Sequence, residues 1–202
     1  STVLPDSLGR CLKMLNIPVV MIRTYGAFTR DPLYNNLQLR RVEVSAKMEY
    51  LLSPEEIKAM KPSEINALLK ERFTFDNFLW QKENGVKIDE DFRADSLNRV
   101  LYKCPHCLAE GQTEGKGTTL TCHACGKVYE MLTDGSMRAT EGETEFSHIP
   151  DWFEWEREQV RAQIERGEYR FEDEVDVYSM PRCWRFEHLG KAKVTHDIND
   201  GF

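Results

Sequence analysis

Four cysteines in two closely spaced pairs constrain this sequence more than any other feature. Cys104 and Cys107 form one Cys-x-x-Cys pair, fourteen residues follow, and Cys122 and Cys125 form the second pair. Each pair directs two thiolates at one point from a tight turn, and two such turns facing each other across a short hairpin make a tetrahedral four-thiolate site. The sequence therefore predicts a structural zinc ribbon with these four cysteines as the metal ligands.

A closed site of this kind predicts a structural role for the metal, because four thiolates leave no open coordination position. A rubredoxin-like iron site uses similar knuckles, and Gly126 after the second pair is compatible with it, so iron is the alternative to zinc. A thioredoxin-like redox pair is disfavoured, since it needs one Cys-x-x-Cys at the start of a helix. His106 and His123 lie inside the knuckles and are interpreted as solvent-facing spacers rather than ligands.

Composition and charge narrow the classes of protein. The 202 residues are 41% hydrophobic and 30% charged, which is ordinary for a globular protein with a real core. The net charge of -7 argues against a broad nucleic-acid surface, because phosphate binding needs a basic face. No stretch approaches the ~20 apolar residues of a membrane span. Metal-type cysteine spacing, together with Cys11 and Cys183, fits a reducing compartment, so a cytoplasmic protein is expected.

A helix followed by an apolar strand is predicted near the start of the chain. Leu8, Leu12 and Leu15 lie at helical spacing, and Asn16 ends the helix. Residues 17–22 then form a continuous apolar run with a proline near its start, which predicts a strand buried on both faces. A helix that feeds a doubly buried strand is typical of an α/β layer.

A second strand is predicted over residues 41–50, where apolar and polar residues alternate strictly. This pattern is typical of a half-exposed strand. Its apolar face carries Val42, Val44, Ala46, Met48 and Tyr50. Arginines near the strand pair either hold an anionic head group or solvate the rim of the sheet; they are Arg23, Arg30, Arg40 and Arg41.

Residues 51–100 are predicted to form a helical segment with no obvious chemistry. Ser53 and Glu56 make a capping box, Pro62 restarts the helix, and a third helix is predicted over about residues 76–84.

A helix and short strands are predicted after the ribbon. Asp151 and Glu154 make another capping-box pattern, which opens a helix to about Arg166, and the remaining residues are predicted to form short strands. Aromatic residues at the start of this helix are interpreted as core residues or, alternatively, as an interface; they are Trp152, Phe153 and Trp155.

Outside the cysteines, no set of residues makes a credible active site. His196 and Asp197 are adjacent, so on a strand their side chains point to opposite faces. The acidic residues Glu172, Asp173 and Glu174 are interpreted as a solvated face, with a cation site as the alternative. The charges around the cysteines are nearly balanced, whereas a nucleic-acid ribbon needs a basic face.

Residues 6–26 resemble the later part of the glycerolipid acyltransferases, which include the lysophospholipid (1-acylglycerol-3-phosphate) acyltransferases. In that family a helix feeds a strand of the catalytic α/β sheet with an apolar-Pro-Val-Val signature, the fourth sequence block. A bacterial branch is more similar still, since its members continue into a Cys-x-x-Cys ribbon and a stretch similar to residues 142–152. For that branch the resemblance spans nearly the whole chain. The fourth block reads here Ile17, Pro18, Val19 and Val20.

The resemblance implies transfer of an acyl group from an acyl thioester to the free hydroxyl of a lysophospholipid-type acceptor. The family's catalytic motif is His-x-x-x-x-Asp, and none of the five histidines has an aspartate at that position. The family's phosphate-binding block, of Glu-Gly-Thr-Arg type, is not found either. No catalytic residue is therefore carried over, and only the fourth block transfers, with a family role in shaping the substrate pocket.

These patterns predict an α+β fold that contains the C-terminal part of an α/β acyltransferase sheet. Residues 1–50 would supply the last helix and strands of that sheet, 51–100 the helical segment, 101–140 the inserted zinc ribbon, and 141–202 the C-terminal helix and short strands.

The predicted function is that of the C-terminal portion of a bacterial acyltransferase. Ser1 is not an initiator residue, and we interpret the sequence as an excised piece whose catalytic half precedes it. The piece is expected to be inactive alone, to need structural zinc, and to lie in the cytoplasm or peripherally at the inner face of the membrane. The alternative is a non-enzymatic zinc-ribbon module that binds a protein or nucleic acid.

Overall fold

The computed structural model describes residues 4–182 and 184–198, so Cys183 lies outside the described residues. It has the mixed helices and sheets of the predicted α+β class. The helices are α1 (Leu8–Leu15), α2 (Ala27–Arg30), α3 (Pro54–Ala59), α4 (Pro62–Phe73), α5 (Asn77–Glu83) and α6 (Ile149–Glu165). The strands are β1 (Val19–Tyr25), β2 (Ser45–Leu52), β3 (Thr113–Lys116), β4 (Thr119–Cys122), β5 (Val128–Met131), β6 (Met137–Ala139), β7 (Arg170–Arg182) and β8 (Arg185–Asp197).

The chain divides into two compact units, Ser1–Trp152 and Phe153–Phe202. The first unit holds the elements from α1 to β6 and the start of α6, and the second holds the rest of α6 and the β7–β8 hairpin. Among the described residues, no helix is long and apolar enough to cross a bilayer.

The N-terminal core lies where α1, α3 and α4 pack against the end of β2. Its buried members are Leu52, Ile57, Ile65 and Leu69. Gly9 brings α1 close to α4, because a Cβ at this position would lie 2.1 Å from the carbonyl oxygen of Pro62. The N–H of Gly9 also donates to Oδ1 of Asn66 at 2.7 Å. Only glycine allows this close approach of the two helices.

The prediction that residues 17–22 form a strand buried on both faces is wrong. The strand begins at Val19 and, among the described residues, pairs with β2 alone. Met21 is buried, but Val20 and Ile22 on the other face are 47% and 66% exposed. An apolar run reports hydrophobicity, but it does not specify which elements cover each face of the strand.

The second predicted strand is shorter than expected, and its apolar face is the open one. β2 begins at Ser45, so residues 41–44 precede it. Met48 and Tyr50 lie opposite Ile22 and Val20 of β1, and they are 71% and 62% exposed. The side of the sheet that is covered depends on where the following helices pack, which alternation within one strand does not encode.

The helix-start signals of residues 51–100 are confirmed. Oγ of Ser53 accepts the N–H of Glu56 at 3.1 Å, and Oε2 of Glu56 accepts the N–H of Ser53 at 2.7 Å. Pro62 is the first residue of α4, and the side chain of Asp76 caps α5. These boundaries follow from local backbone hydrogen bonding, so the sequence alone was sufficient to predict them.

A buried arginine, Arg40, joins the segment after β1 to the segment before the ribbon. Arg40 is only 4% exposed to solvent. Its guanidinium donates to four neutral oxygens: the carbonyl oxygens of Thr29 (3.3 Å) and Arg93 (2.8 Å), the hydroxyl of Tyr34 (2.8 Å) and Oδ1 of Asn35 (3.1 Å). Nε of Arg93 in turn donates to the carbonyl oxygen of Met131 in β5 at 2.6 Å. Through this network the N-terminal region is connected to the sheet formed by β3, β4, β5 and β6.

The second unit contains a long hairpin, so the prediction of short strands is wrong. β7 and β8 are each 13 residues long and pair antiparallel. Glu172 and Glu174 make cross-strand ion pairs with Lys193 (2.8 Å) and Lys191 (2.7 Å), which agrees with a solvated acidic face. Cross-strand pairing over this length is a non-local property. The local sequence pattern indicated strands only in the most apolar parts of the hairpin.

The start of α6 also differs from the prediction. The helix begins at Ile149 rather than at the capping-box pattern of Asp151. The N–H groups of Asp151 and Trp152 both donate to the carbonyl oxygen of His148, at 3.1 and 3.2 Å, and Pro150 occupies the first turn. Proline is well tolerated there, because the first helical N–H groups have no intrahelical partner.

Candidate metal centre

A four-stranded antiparallel meander positions the cysteines. β3, β4, β5 and β6 are neighbours in chain order, and Cys122 ends β4 opposite Thr113 of β3. A turn at residues 133–136 joins β5 to β6. Leu120 and Tyr129 face each other across β4 and β5 and are buried. These two buried side chains form a small core at the strand that carries Cys122.

The two Cys-x-x-Cys turns have the same backbone hydrogen bonding. In the first turn the N–H of Cys104 donates to the carbonyl oxygen of Ala109, and in the second the N–H of Cys122 donates to that of Lys127, both at 2.9 Å. Each turn therefore closes over the same number of residues. The two turns are therefore equivalent in their backbone, although they come from separate parts of the chain.

The four sulfurs lie close enough together to hold one metal ion, and two of their separations match a tetrahedral site. Sγ of Cys104 is 3.8 Å from Sγ of Cys125, and Sγ of Cys107 is 3.7 Å from Sγ of Cys122. All four sulfurs are within 4.8 Å of one another. A tetrahedron with metal–sulfur bonds of about 2.3 Å has sulfur–sulfur edges of about 3.8 Å. The donor set thus fits a structural metal, and both distances are far longer than the ~2.05 Å of a disulfide.

Burial differs among the cysteines and changes their acidity. Cys104 and Cys122 are buried, whereas Cys107 and Cys125 are exposed. Burial raises the pKa of the Cys104 thiol to about 12, while a hydrogen bond from the backbone of Ala109 lowers the pKa of Cys107. Metals bind thiolates, so a metal must displace the proton of Cys104, and metal affinity falls as the pH falls.

The knuckle histidines point to carboxylates. Nδ1 of His106 is 3.1 Å from Oε1 of Glu145, and Nε2 of His123 is 2.9 Å from Oε2 of Glu114. Among the described residues, the group of possible metal ligands consists of the four cysteines alone. The geometry agrees with the interpretation of both histidines as spacers.

The aromatic residue Trp152 packs beneath the centre and is fully buried, as the core interpretation predicted. Its ring lies edge-on to Tyr129 with centroids 4.8 Å apart, and it stacks on Phe146 at 6.2 Å. Its Nε1–H donates to the carbonyl oxygen of Lys103, next to the first ligand, at 2.9 Å. Residues 142–152 are thereby fastened to the first knuckle. Phe153 and Trp155 are half-buried.

The two knuckles place different residue types at the same backbone position. The N–H of Leu108 donates to Cys104 and that of Gly126 to Cys122, and both residues have positive φ, 65° and 76°. We expect Gly126→Ala to destabilise the ribbon by about 1–2 kcal/mol, because a Cβ is unfavourable in this conformation. No atom lies within 4 Å of that Cβ, so the effect is backbone strain alone. Leu108→Gly should relieve the same strain and leave stability equal or up to about 1 kcal/mol higher.

Chemical denaturation of the metal-loaded variants measures both changes. If Leu108→Gly destabilised the protein as much as Gly126→Ala does, the two positions would not be equivalent. Leu108 is 58% exposed, so its removal forfeits little apolar burial.

The fourth-block residues lie mostly at the surface of the described structure. Ile17, Pro18 and Val20 are exposed and Val19 is half-buried. A groove of about 680 Å³ lies beside α1 and α4, and no fourth-block residue lines it. Its apolar lining comes from Leu4, Leu8, Leu69, Phe73 and Phe75.

Two of the four arginines near the first strand pair are bonded to protein oxygens. Arg40 is buried and bonded to four protein oxygens. The guanidinium of Arg23 bonds to the carbonyl oxygen of Arg72 and lies 5.3 Å from the ring centroid of Phe75. The other two, Arg30 and Arg41, are exposed.

Two residues of the site had no signal in the sequence. Glu145 lies 39 residues from His106 and 16 from Tyr129, its hydrogen-bond partners. Lys127 lies two residues after Cys125 and pairs with the same carboxylate at 3.5 Å. Contacts over such separations depend on the folded path of the chain and follow no local spacing rule.

Searches of known protein families, of curated proteins and of solved structures find no match to this chain. The fold and the site define it as an α+β protein with a four-cysteine group that could hold a metal ion. The resemblance to the acyltransferases remains a prediction.

Proposed function

We propose that this chain is the C-terminal portion of a bacterial lysophospholipid acyltransferase and that its four cysteines hold structural zinc. The parent would transfer an acyl group from an acyl thioester to the hydroxyl of a lysophospholipid-type acceptor. The catalytic histidine and aspartate would be supplied by another part of the parent, since no His-x-x-x-x-Asp occurs in the 202 residues.

The open apolar face of the β1–β2 sheet is the observation that most supports the proposal. Val20 lies opposite Tyr50 and Ile22 opposite Met48, so the four side chains share one face. Their exposed fractions are 47%, 62%, 66% and 71% in the order Val20, Tyr50, Ile22, Met48. Contiguous apolar surface of this kind marks a place where another surface packs.

The location of this face agrees with the family resemblance. Val19 and Val20 of the fourth block open β1, and in the acyltransferases that strand belongs to the catalytic sheet. Among the described residues β1 has a single strand neighbour, which leaves its other edge free to pair. A strand that is apolar on both faces and free on one edge suits the interior of a larger α/β sheet.

We prefer zinc to iron as the metal of this site, for the following reason. Closed four-thiolate sites with two knuckles on a small antiparallel sheet are the usual structural zinc sites. Elemental analysis of the purified protein distinguishes the metals, and iron in place of zinc would contradict this part of the proposal.

Acyl transfer tests the main proposal. We expect the 202-residue chain to show no transfer from an acyl thioester to a lysophospholipid, and the protein from the complete reading frame to show it. Ile22→Asp in the complete protein should abolish activity, because it puts a charge inside the proposed sheet, whereas Met180→Asp on the β7–β8 hairpin serves as the matched control.

Two results would contradict the proposal. One is acyl transfer by the isolated chain, which would require a catalytic base that its sequence does not contain. The other is a complete protein that lacks His-x-x-x-x-Asp, shows no acyl transfer and binds nucleic acid with a steep salt dependence. Such binding is expected of a ribbon module that recognises nucleic acid.

A further inference from the structure

The carboxylate of Glu145 contacts both halves of the metal centre. Its Oε1 lies 3.1 Å from Nδ1 of His106, which sits between the two ligands of the first knuckle. The same oxygen is 3.5 Å from Nζ of Lys127, just beyond the second knuckle. Its Oε2 accepts a hydrogen bond of 2.7 Å from the hydroxyl of Tyr129 in β5. One side chain thus connects three residues that belong to both knuckles and their sheet.

The contacts of Glu145 with Lys127 and Tyr129 are largely covered from solvent, whereas the side chain of His106 is 54% exposed. The side chain of Glu145 is 19% exposed and that of Lys127 is 11% exposed. Lys127 also donates to the carbonyl oxygen of Glu143 at 2.7 Å. Because the groups are largely covered, water and salt screen their interactions less than those of surface ion pairs.

Glu145 remains a carboxylate in this environment. Burial alone would raise its pKa, but hydrogen bonds from the hydroxyl of Tyr129, the backbone and His106, together with the charge of Lys127, lower the pKa below its usual value. Conversely, burial and then the bond to Glu145 raise the pKa of Tyr129. The pair is therefore a neutral phenol donating to an ionised acceptor, which is the stronger type of hydrogen bond.

We propose that Glu145 is a positioning residue of the metal centre, holding the two knuckles at the separation that four-thiolate coordination requires. Each knuckle supplies only two sulfurs, so metal affinity depends on how well the second pair is placed when the first has bound. Residues outside the ligand set that orient ligands in this way contribute strongly to metal affinity. This role is independent of acyl transfer and needs only the four-cysteine site.

The charge balance explains why a carboxylate is tolerated here. Four thiolates around a divalent ion carry a net charge of about -2, and an additional unpaired carboxylate nearby would be repelled. Lys127 offsets that repulsion, because its ammonium is directed at Glu145 and is nearly buried. The carboxylate and the ammonium therefore act as one unit between the knuckles.

Metal affinity of the whole chain, measured by competition with a chelator, tests the proposal. We expect Glu145→Ala to weaken Zn²⁺ binding about tenfold or more. Glu145→Gln keeps an acceptor for Tyr129 and should restore part of that loss. Glu143→Ala is the matched control, because it removes a carboxylate from the same segment and leaves the Lys127 bond to the Glu143 backbone intact. It should leave the affinity unchanged.

A second set of measurements separates positioning from general stability. Tyr129→Phe removes only the hydroxyl, and if both groups act through the same bond its effect and that of Glu145→Ala will not add in the double variant. Co²⁺-loaded Glu145→Gln should retain the spectrum of a tetrahedral thiolate site while releasing metal faster than the parent chain.

Equal affinities for Glu145→Ala and Glu143→Ala would refute the positioning role. If Glu145→Ala does not fold, the milder variants decide: unchanged metal release in both Glu145→Gln and Tyr129→Phe would refute it as well.

Discussion

Replacing Cys122 with serine is expected to release the metal and to unfold residues 104–131 before the rest of the chain. Structural zinc contributes about 10–16 kcal/mol of apparent binding free energy to a site of this kind. The strands that depend on it are only three or four residues long. Their own core cannot replace so large a contribution, because it consists of few side chains, chiefly Leu120, Tyr129, Met131 and Met137.

Hydrogen exchange measured along the chain would locate the loss. Amides of β3, β4 and β5 should lose protection in Cys122→Ser and in the chelator-treated parent chain, while those of α3 and α4 keep it. Cys11→Ser is the matched control, because Cys11 is exposed and outside the ligand group. Uniform loss of protection, or no loss, would count against a locally acting metal.

Arg40→Ala is expected to cost about 3–5 kcal/mol of unfolding free energy, since each buried acceptor left unpaired costs about 1–3 kcal/mol. The substitution removes the donor to four buried or half-buried oxygens at once. It also separates Tyr34 and Arg93 from their shared partner, so the network that leads to Met131 should loosen.

The neighbouring arginine supplies the control for this prediction. Arg41 is exposed, and it is its backbone N–H that bonds to Glu90, so Arg41→Ala should change stability by no more than about 0.5 kcal/mol. Arg40→Lys should fall between the two, because an ammonium cannot reach acceptors spread around a planar guanidinium. Urea unfolding of the metal-loaded variants measures all three. Similar losses for Arg40→Ala and Arg41→Ala would show that the buried network is not stabilising.

Features set by short-range geometry were predictable from the sequence. The capping box at Ser53 and the cap at Asp76 follow from backbone N–H groups that need a partner within three residues. The four-cysteine site is similar, because each Cys-x-x-Cys turn fixes its own two sulfurs. Only the meeting of the two turns is a long-range event, and the short hairpin between them made it predictable.

Features that depend on which surfaces meet were not predictable. The apolar run at β1 gave no information on which of its faces would be covered, and the structure leaves Ile22 open. Arg40 had the same local pattern as Arg41, yet one is buried and the other exposed. The length of the β7–β8 hairpin was missed because its strands are held by cross-strand pairs rather than by a strong apolar alternation.

The sequence by itself determined the α+β class, the helix starts of residues 51–100 and which four cysteines form the candidate metal centre, since each of these rests on spacing within a few residues. Only the tertiary structure decided that the four sulfurs lie within 4.8 Å of one another, that Glu145 links the two knuckles and that one face of the β1–β2 sheet is open. The reason is physical: hydrogen bonds within a turn form wherever the local residues allow them, whereas burial and long-range pairing depend on the path of the whole chain.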